Sequence, residues 1–333
     1  MTRGGGPVRV DNIRRGGYLS KMHLARSLLL RASRSQWLAE QFRRRRFARR
    51  AVRRFMPGED AGAALDAAAR YRDAGIGSVV TALGERVETP AEAAAVRDHY
   101  LELLEKIETR DLRAHVSVKL THLGLDLDPD ACLESLLTLA ARAEEAGSFL
   151  WLDMEESHYV DRTLAAYRTL RGQHERVGIC LQTYLRRTPN DLESLLPLSP
   201  AIRLVKGAYD EPADIAFPRK RDTDAAFLAL AERLLEYAPA GTRAVYGTHD
   251  LALIEKIRER IEVGEFDPGG YEVHMLYGIG TEAQRDLAAG GVTVRVLISY
   301  GEHWFPWYMR RLAERPANVW FVIRNLVPRS GTG

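Results

Sequence analysis

The sequence predicts a (β/α)8 barrel of the TIM type, preceded by a basic helical extension. Three observations predict it. From Gly77 onward, eight short β-branched or apolar runs alternate with amphipathic stretches, the rhythm of a parallel sheet with crossover helices. Prolines open several of those stretches and glycines close others. The chain is 333 residues long with a hydrophobic share of 46%, enough for a barrel of ~250 residues and a large core.

Taken in order, the first predicted strand is 78–83, a Ser-Val-Val-Thr run after Gly75, where a helix would end. A helix follows over 90–108, opened by Pro90. The second strand, 115–120, leads to a helix over 129–146 that starts on Pro129 and stops at Gly147. The third, 149–154, precedes a helix over 157–171, and the fourth, 177–183, precedes the short helix 189–196 that begins at Pro189. Strands 202–205 and 243–248 are followed by helices 222–237 and 250–263. Strand 271–275 leads into Gly278-Ile279-Gly280-Thr281 and a helix over 281–289 that ends at Gly290. The last strand, 292–298, runs into an aromatic-rich helix over 303–314. An open doubly wound sheet would announce a GxGxxG turn after its first strand, whereas this chain reads Leu83-Gly84-Glu85. Eight units close a barrel.

The domain layout that follows is a disordered Gly/Arg-rich start (1–17), a basic helical arm (18–75), the barrel (76–327) and a short tail (328–333). The net charge of +3 conceals an asymmetry. Residues 1–56 hold 16 Lys/Arg against Asp11 and Glu40, a balance of +14, so the remainder carries −11. The run Arg43-Arg44-Arg45-Arg46 suits an anionic membrane surface or nucleic acid, but Phe42, Phe47, Val52 and Phe55 recur at helical spacing. A solvated helix is favoured and nucleic acid disfavoured. No run is long and apolar enough for a membrane span, and no signal peptide is read. Cys132 and Cys180 lack metal or disulfide spacing, and the nine histidines form no HExxH. The expectation is a reduced, metal-free, cytoplasmic protein, with membrane contact confined to the arm.

In such barrels chemistry sits where strands end. Lys119 follows Val116-Ser117-Val118, Asp153 follows Leu150-Trp151-Leu152, and Arg203 interrupts Ile202-Leu204-Val205. A charge facing a barrel interior costs several kcal/mol unless paired or used, so three at the rim point to a site. No GxSxG elbow accompanies them, and the excess of cations suits an anionic ligand or a redox cofactor with a pyrophosphate. Lys206-Gly207-Ala208 sets a lysine beside small residues, and Gly278 to Thr281 is a second candidate for presenting amides to an anion. On the last helix, Arg310-Arg311 offers adjacent planar forks for a carboxylate or phosphate. The plainer reading there is an Arg310–Glu314 i,i+4 ion pair.

The motifs Val118-Lys119-Leu120-Thr121, Trp151-Leu152-Asp153-Met154-Glu155, Leu181-Gln182-Thr183-Tyr184, Arg203-Leu204-Val205-Lys206-Gly207-Ala208-Tyr209, Thr248-His249-Asp250 and Tyr308-Met309-Arg310-Arg311-Leu312-Ala313-Glu314 stand in order. Together the chain resembles the monofunctional bacterial proline dehydrogenase family. The resemblance implies a distorted (β/α)8 barrel holding FAD non-covalently at the strand ends. It implies oxidation of L-proline to 1-pyrroline-5-carboxylate by hydride transfer to flavin N5, with electrons passed to a quinone-like acceptor. Asp153 and Arg203 match catalytic-site positions. Arg310 and Arg311, assisted by Lys119, match the carboxylate clamp, with Glu314 and Leu297 among the substrate-site positions. Met154, Gln182, Lys206, Gly207, Ala208, Thr248 and His249 match flavin contacts, and Glu85 matches a gate residue.

The chain departs from the family's usual pattern at Leu297 and Trp307, where tyrosines are common, and at His274, where glutamine is common. These changes leave the clamp intact and alter the wall beside the substrate ring. Alternatives are the same chemistry on hydroxyproline, pipecolate or another N-substituted amino acid, a flavin barrel fed by a nicotinamide, and a non-catalytic binding module.

Overall fold

A computed structural model describes residues 52–84, 86–264 and 266–314, with Leu29, Ser35, Trp37, Leu38, Gln41 and Phe42; the side chains of Ala313 and Glu314 are not among what it describes. The disorder expected at 1–17, most of the basic arm including its arginine run, the gate residue Glu85, the side chain of Glu314 and the tail lie outside the described residues.

Eight parallel strands form a closed barrel in chain order: β1 (Gly77–Ala82), β2 (Ala114–Val118), β3 (Leu150–Leu152), β4 (Val177–Gln182), β5 (Ala201–Val205), β6 (Arg243–Gly247), β7 (Tyr271–Leu276) and β8 (Thr293–Tyr300). Closure is made where β8 pairs with β1, from Gly77 opposite Arg295 to Ala82 opposite Tyr300. Helix α1 (Ala61–Asp73) precedes β1. Then come α2 (Pro90–Thr109), α3 (Pro129–Glu145), α4 (Val160–Arg171), α5 (Thr188–Leu195), α6 (Lys220–Tyr237), α7 (Leu251–Val263), α8 (Thr281–Ala289) and, after β8, α9 (Trp304–Glu314). All eight strands and the eight helices between and after them match the sequence reading to within about two residues at most ends. The helix expected from 157 opens as a 3-10 turn, Ser157–Tyr159, before α4.

The proline signals work as helix starts because a first-turn N–H has no partner to lose. Thr89 accepts from Glu92 N and Asp128 accepts from Asp130 N and Ala131 N, each just before a proline at the first helical position. Helix α1 was expected within the basic arm. It buries Ala64, Leu65, Ala67 and Ala68 in the same core as Val80 and Val296, because its small residues recur on one face.

The chain divides into two compact units. One comprises 50–207 and 211–302, and holds the whole barrel; the other comprises 208–210, 303–333 and the first 49 residues. Within the barrel unit, strand alternation separates two cores. Val80, Val116, Leu152, Ile179, Leu204, Tyr246, Val273 and Val296 face the surrounding helices. Val79, Phe149, Trp151, Ala201 and Val245 form the interior, with Leu297 partly buried against them.

Below that interior layer lies a charged floor that sequence reasoning did not single out. Glu272 accepts from Arg243 Nε at 2.6 Å and from Arg295 Nε at 3.0 Å. Burial opposes ionisation of Glu272, but His274 and the two arginines outweigh it and hold its carboxyl well below the usual range. Gly77 makes room for one of these arginines, since a Cβ there would stand 2.6 Å from Arg295 Nη1. Arg243 lies over the Phe149 ring at 4.5 Å.

His274 sits above this floor. Its Nε2 is 3.5 Å from Glu272 Oε2, and neither ring nitrogen has a hydrogen-bond partner among the described residues. Burial first, then the fields of Arg203 and Arg295, lower its pKa to about 4 despite the pull of Glu272. The unfolded chain therefore binds a proton near pH 6.5 that the folded chain refuses until near pH 4. This contribution is complete above pH 6.5 and lost on acidification. Equilibrium urea unfolding is expected to show stability falling by roughly 2–3 kcal/mol from this group between those pH values. His274→Gln should flatten that part of the profile, and an unchanged slope would contradict a neutral buried imidazole.

Candidate active site

Strand alternation carries three charges to the C-terminal rim of the barrel. Asp153, two residues beyond Trp151 on the same face, receives Lys119 Nζ at 3.1 Å on one oxygen and Arg203 Nη2 at 2.5 Å on the other. Ser117, one strand-repeat before Lys119, donates to Asp153 Oδ1 at 2.7 Å and accepts from Arg203 Nη2 at 2.9 Å. Lys119 and Arg203 are about 90% or more buried at the side chain. Burial raises the Asp153 pKa, but Lys119, Arg203 and the Ser117 hydroxyl more than offset it and keep the carboxylate ionised. Two cations against one anion leave this cluster with a net charge of about +1 at neutral pH.

Beside the triad, Gln182 donates from Nε2 to the Met154 carbonyl at 3.3 Å, while its Oε1 is buried without a partner among the described residues. Arg203 Nη1 is likewise buried and unpartnered. A buried acceptor and a buried donor left open cost about 1–3 kcal/mol each unless something supplies the missing bonds. An open acceptor and an open donor suit a ligand that carries both N–H and carbonyl groups.

The next strand ends supply cations and fixed donors. Lys206 Nζ lies 2.7 Å from Asp224 and 2.8 Å from Asp250, and Lys220 joins the same two carboxylates. Hydrogen bonding to Lys206 is the main cause that lowers the Asp250 pKa to about 2. An ammonium has three N–H donors, and the hydrogen bond to Asp250 uses only one of those on Lys206. His249 Nε2 accepts from Leu276 N at 2.7 Å. This bond assigns the proton of the neutral ring to Nδ1. Thr248 Oγ1 accepts from Asp250 N at 3.2 Å, a local turn bond just before α7.

Two glycines are required by their own surroundings. At Gly207, φ is +108° and a Cβ would meet the Tyr184 ring at 2.2 Å, so the ring accounts for the glycine. At Gly278, φ is +73° and a Cβ would fall 1.7 Å from the Arg54 carbonyl oxygen. That close backbone approach accounts for the first glycine of Gly278-Ile279-Gly280. Glu155 is structural as well, accepting from Thr121 N and Oγ1 to tie the β2 and β3 ends.

In the other unit, α9 presents the arginine pair. Arg310 is buried, with its guanidinium 5.3 Å from the centre of the Tyr209 ring, and Arg311 lies 6.0 Å from that of Trp307. Ala208 belongs to this unit too. Leu297 is on β8, opposite Val79 on one side and Leu276 on the other. Sequence reasoning overlooked Ser117, Trp151 and Asp224. The first two were within reach of the alternation rule, counted back from Lys119 and Asp153; Asp224, on α6, has no such signal.

A family model described as proline dehydrogenase matches residues 64–324. The chain belongs to the proline dehydrogenase family. Membership makes it an oxidoreductase of the class that acts on CH–NH donors. It is 36% identical over 279 residues to the proline dehydrogenase of Deinococcus radiodurans, covering 82% of this chain and 89% of that protein. It is 34% identical over 278 residues to proline dehydrogenase 1 of Bacillus subtilis strain 168, covering 84% and 91%. Among solved structures, proline utilization A from Bdellovibrio bacteriovorus, inactivated by N-propargylglycine, superposes with a TM-score of 0.75 at 22% identity. The match covers 85% of this chain and 34% of that longer one, and bears on the fold.

The Asp153 triad yields a direct test. Asp153→Ala would leave two buried cations facing each other, and such a broken buried pair costs about 3–5 kcal/mol. Urea unfolding at pH 7 is expected to show that loss, with Asp153→Asn smaller because its amide oxygen still accepts one bond. A loss below about 1 kcal/mol for Asp153→Ala would mean that water already solvates the cations.

Proposed function

We propose that this chain oxidises L-proline to 1-pyrroline-5-carboxylate with non-covalently held FAD and passes the electrons to a quinone-type acceptor. The observation that carries this reading is the rim cluster, where Asp153 orders Lys119 and Arg203 beside the open polar atoms of Arg203 and Gln182. Bound FAD would supply the hydride acceptor. Gln182, Arg203, Lys206, Thr248 and His249 fit its polar groups in donor and acceptor type, with Met154, Gly207 and Ala208 assigned by the family motif.

The residues of the chain bind and orient. The ammonium of Lys119 is assigned to the substrate carboxylate. Arg310 and Arg311 are assigned to it through the Tyr308 to Glu314 motif, since a guanidinium pair engages a carboxylate through two parallel bonds. The surplus positive charge around Asp153 disfavours a protonated substrate amine, and the amine must be neutral for its neighbouring carbon to give up hydride. Arg203, held by Asp153, would offset negative charge on the reduced cofactor. Leu297 is assigned to the wall beside the ring, and the family motif assigns Glu314 to the substrate site and Glu85 to the gate.

No helix among the described residues is long and apolar enough to cross a membrane. We assign the protein to the cytoplasm, with the arginine-rich arm as the segment suited to an anionic membrane face near a quinone pool.

Anaerobic reduction of the bound flavin by proline, hydroxyprolines, pipecolate and N-methyl amino acids tests the reading. Proline is expected to bleach the flavin, and Arg310→Lys to raise the half-saturating concentration by about tenfold. Bleaching by a nicotinamide and by no amino acid would overturn the assignment. Bleaching by a substituted ring alone would keep the chemistry and move the substrate.

A further inference from the structure

Trp151 stands in the family motif without an assigned role, and it packs at the barrel interior with Val79, Phe149, Ala201 and Val245. Its indole is fully buried on the interior face of β3. Nε1–H donates to His115 Nδ1 at 3.2 Å. That bond needs an unprotonated Nδ1, and burial, with the fields of Arg295 and Arg243 behind it, keeps His115 neutral. His274 meets the indole edge-on, with ring centres 5.5 Å apart and an interplanar angle of 79°. Room for the ring comes from Gly178 on β4, where a Cβ would stand 2.5 Å from the indole Cζ3.

On the indole lies Arg203, its guanidinium carbon 5.1 Å from the ring centre. Arg203 donates from Nη2 to Asp153 and Ser117 and also bonds the Cys180 thiol, while Nη1 is open among the described residues. These bonds hold one edge of the guanidinium, and the surface beneath it sets the tilt of the edge that carries Nη1. A hydrogen-bonded, edge-braced indole is such a surface, and a flat π face attracts the cation as well.

We propose that Trp151 is a positioning residue for the flavin chemistry: a shelf that sets the tilt of Arg203 and so its hold on the charge of the reduced cofactor. A residue serving only as filler would need volume alone. It would not need a fixed ring plane, an N–H acceptor or a glycine opposite. The inference rests on the reading of Arg203 as a flavin-site residue.

The test is the midpoint potential of bound FAD in the intact holoenzyme. Trp151→Leu removes the π face and frees Arg203 to tilt, so reduced flavin loses stabilisation. The ratio of reduced to oxidised flavin at fixed potential is expected to fall about tenfold, a shift of about 30 mV to the negative for a two-electron couple. Trp151→Phe keeps a face and should recover at least half of that shift. Where Trp151→Leu retains no FAD, Gly178→Ala displaces the indole without removing it and is expected to move the potential in the same direction.

Wild-type potential in the leucine variant, or in Gly178→Ala used in its place, overturns the shelf. Equal shifts in the leucine and phenylalanine variants overturn it too, because volume alone would then account for the effect. Failure of the underlying reading has a different signature: the unaltered protein would take up no FAD, and the proposal would fall with it.

Discussion

The structure depends on the carboxylate of Asp153. It stands at the end of β3 between a cation from β2 and a cation from β5, and neither of those strands pairs with the other. Buried Lys119 and Arg203 would repel each other across the barrel mouth without it. Desolvation penalises all three ions, and the interaction is favourable only because each Asp153 oxygen has a partner of its own and Ser117 fills the remaining position. The geometry is therefore narrow. Barrel closure fixes the strand register, the register fixes where the three groups emerge, and the ion triad then holds Arg203 toward the rim.

The same barrel holds a second ion cluster at its other end. Glu272 between Arg243 and Arg295 repeats the pattern of one carboxylate and two guanidiniums. The two clusters are separated by an apolar and aromatic layer of Val79, Phe149, Trp151 and Val245. Their positions decide their roles. The N-terminal end of a barrel carries stability and the C-terminal end carries chemistry. Among the described residues, Arg203 and Gln182 keep open polar atoms at the rim, whereas the floor arginines donate to Glu272 and, from Arg295, to the Arg113 carbonyl.

The eight-unit rhythm was legible because strand and helix have different hydrophobic periods and because proline and glycine mark helix ends. Lys119, Asp153 and Arg203 were legible as charges in apolar runs. What stayed hidden depends on closure. Arg243, Glu272 and Arg295 are also charges in strands, but only the closed barrel shows that they meet each other rather than solvent. Gly77, Gly178, Gly207 and Gly278 read alike in sequence, yet each admits a different group: a guanidinium, an indole, a phenol ring and a carbonyl. Ser117 has no charge to draw notice, although the period-2 rule places it on the face of Lys119. Glu85 and the Glu314 side chain, outside the described residues, keep the standing that the family motif gives them.

Selectivity for the substrate ring follows from a different physical constraint than binding of its carboxylate. A guanidinium pair recognises the carboxylate of any amino acid and is indifferent to the ring. Under the reading that places Leu297 beside that ring, the wall there is apolar and makes no hydrogen bond. An apolar wall rejects an added hydroxyl by only about 10²-fold, whereas a site built to bond a hydroxyl rejects its absence by 10⁴ or more. Replacing a phenol by Leu297 therefore changes the kind of discrimination available: a ring lacking a hydroxyl leaves nothing unpaired, and a ring bearing one loses solvation without finding a partner. On that reading of Leu297, an unsubstituted ring would be favoured, with a margin set by fit and desolvation rather than by a hydrogen bond.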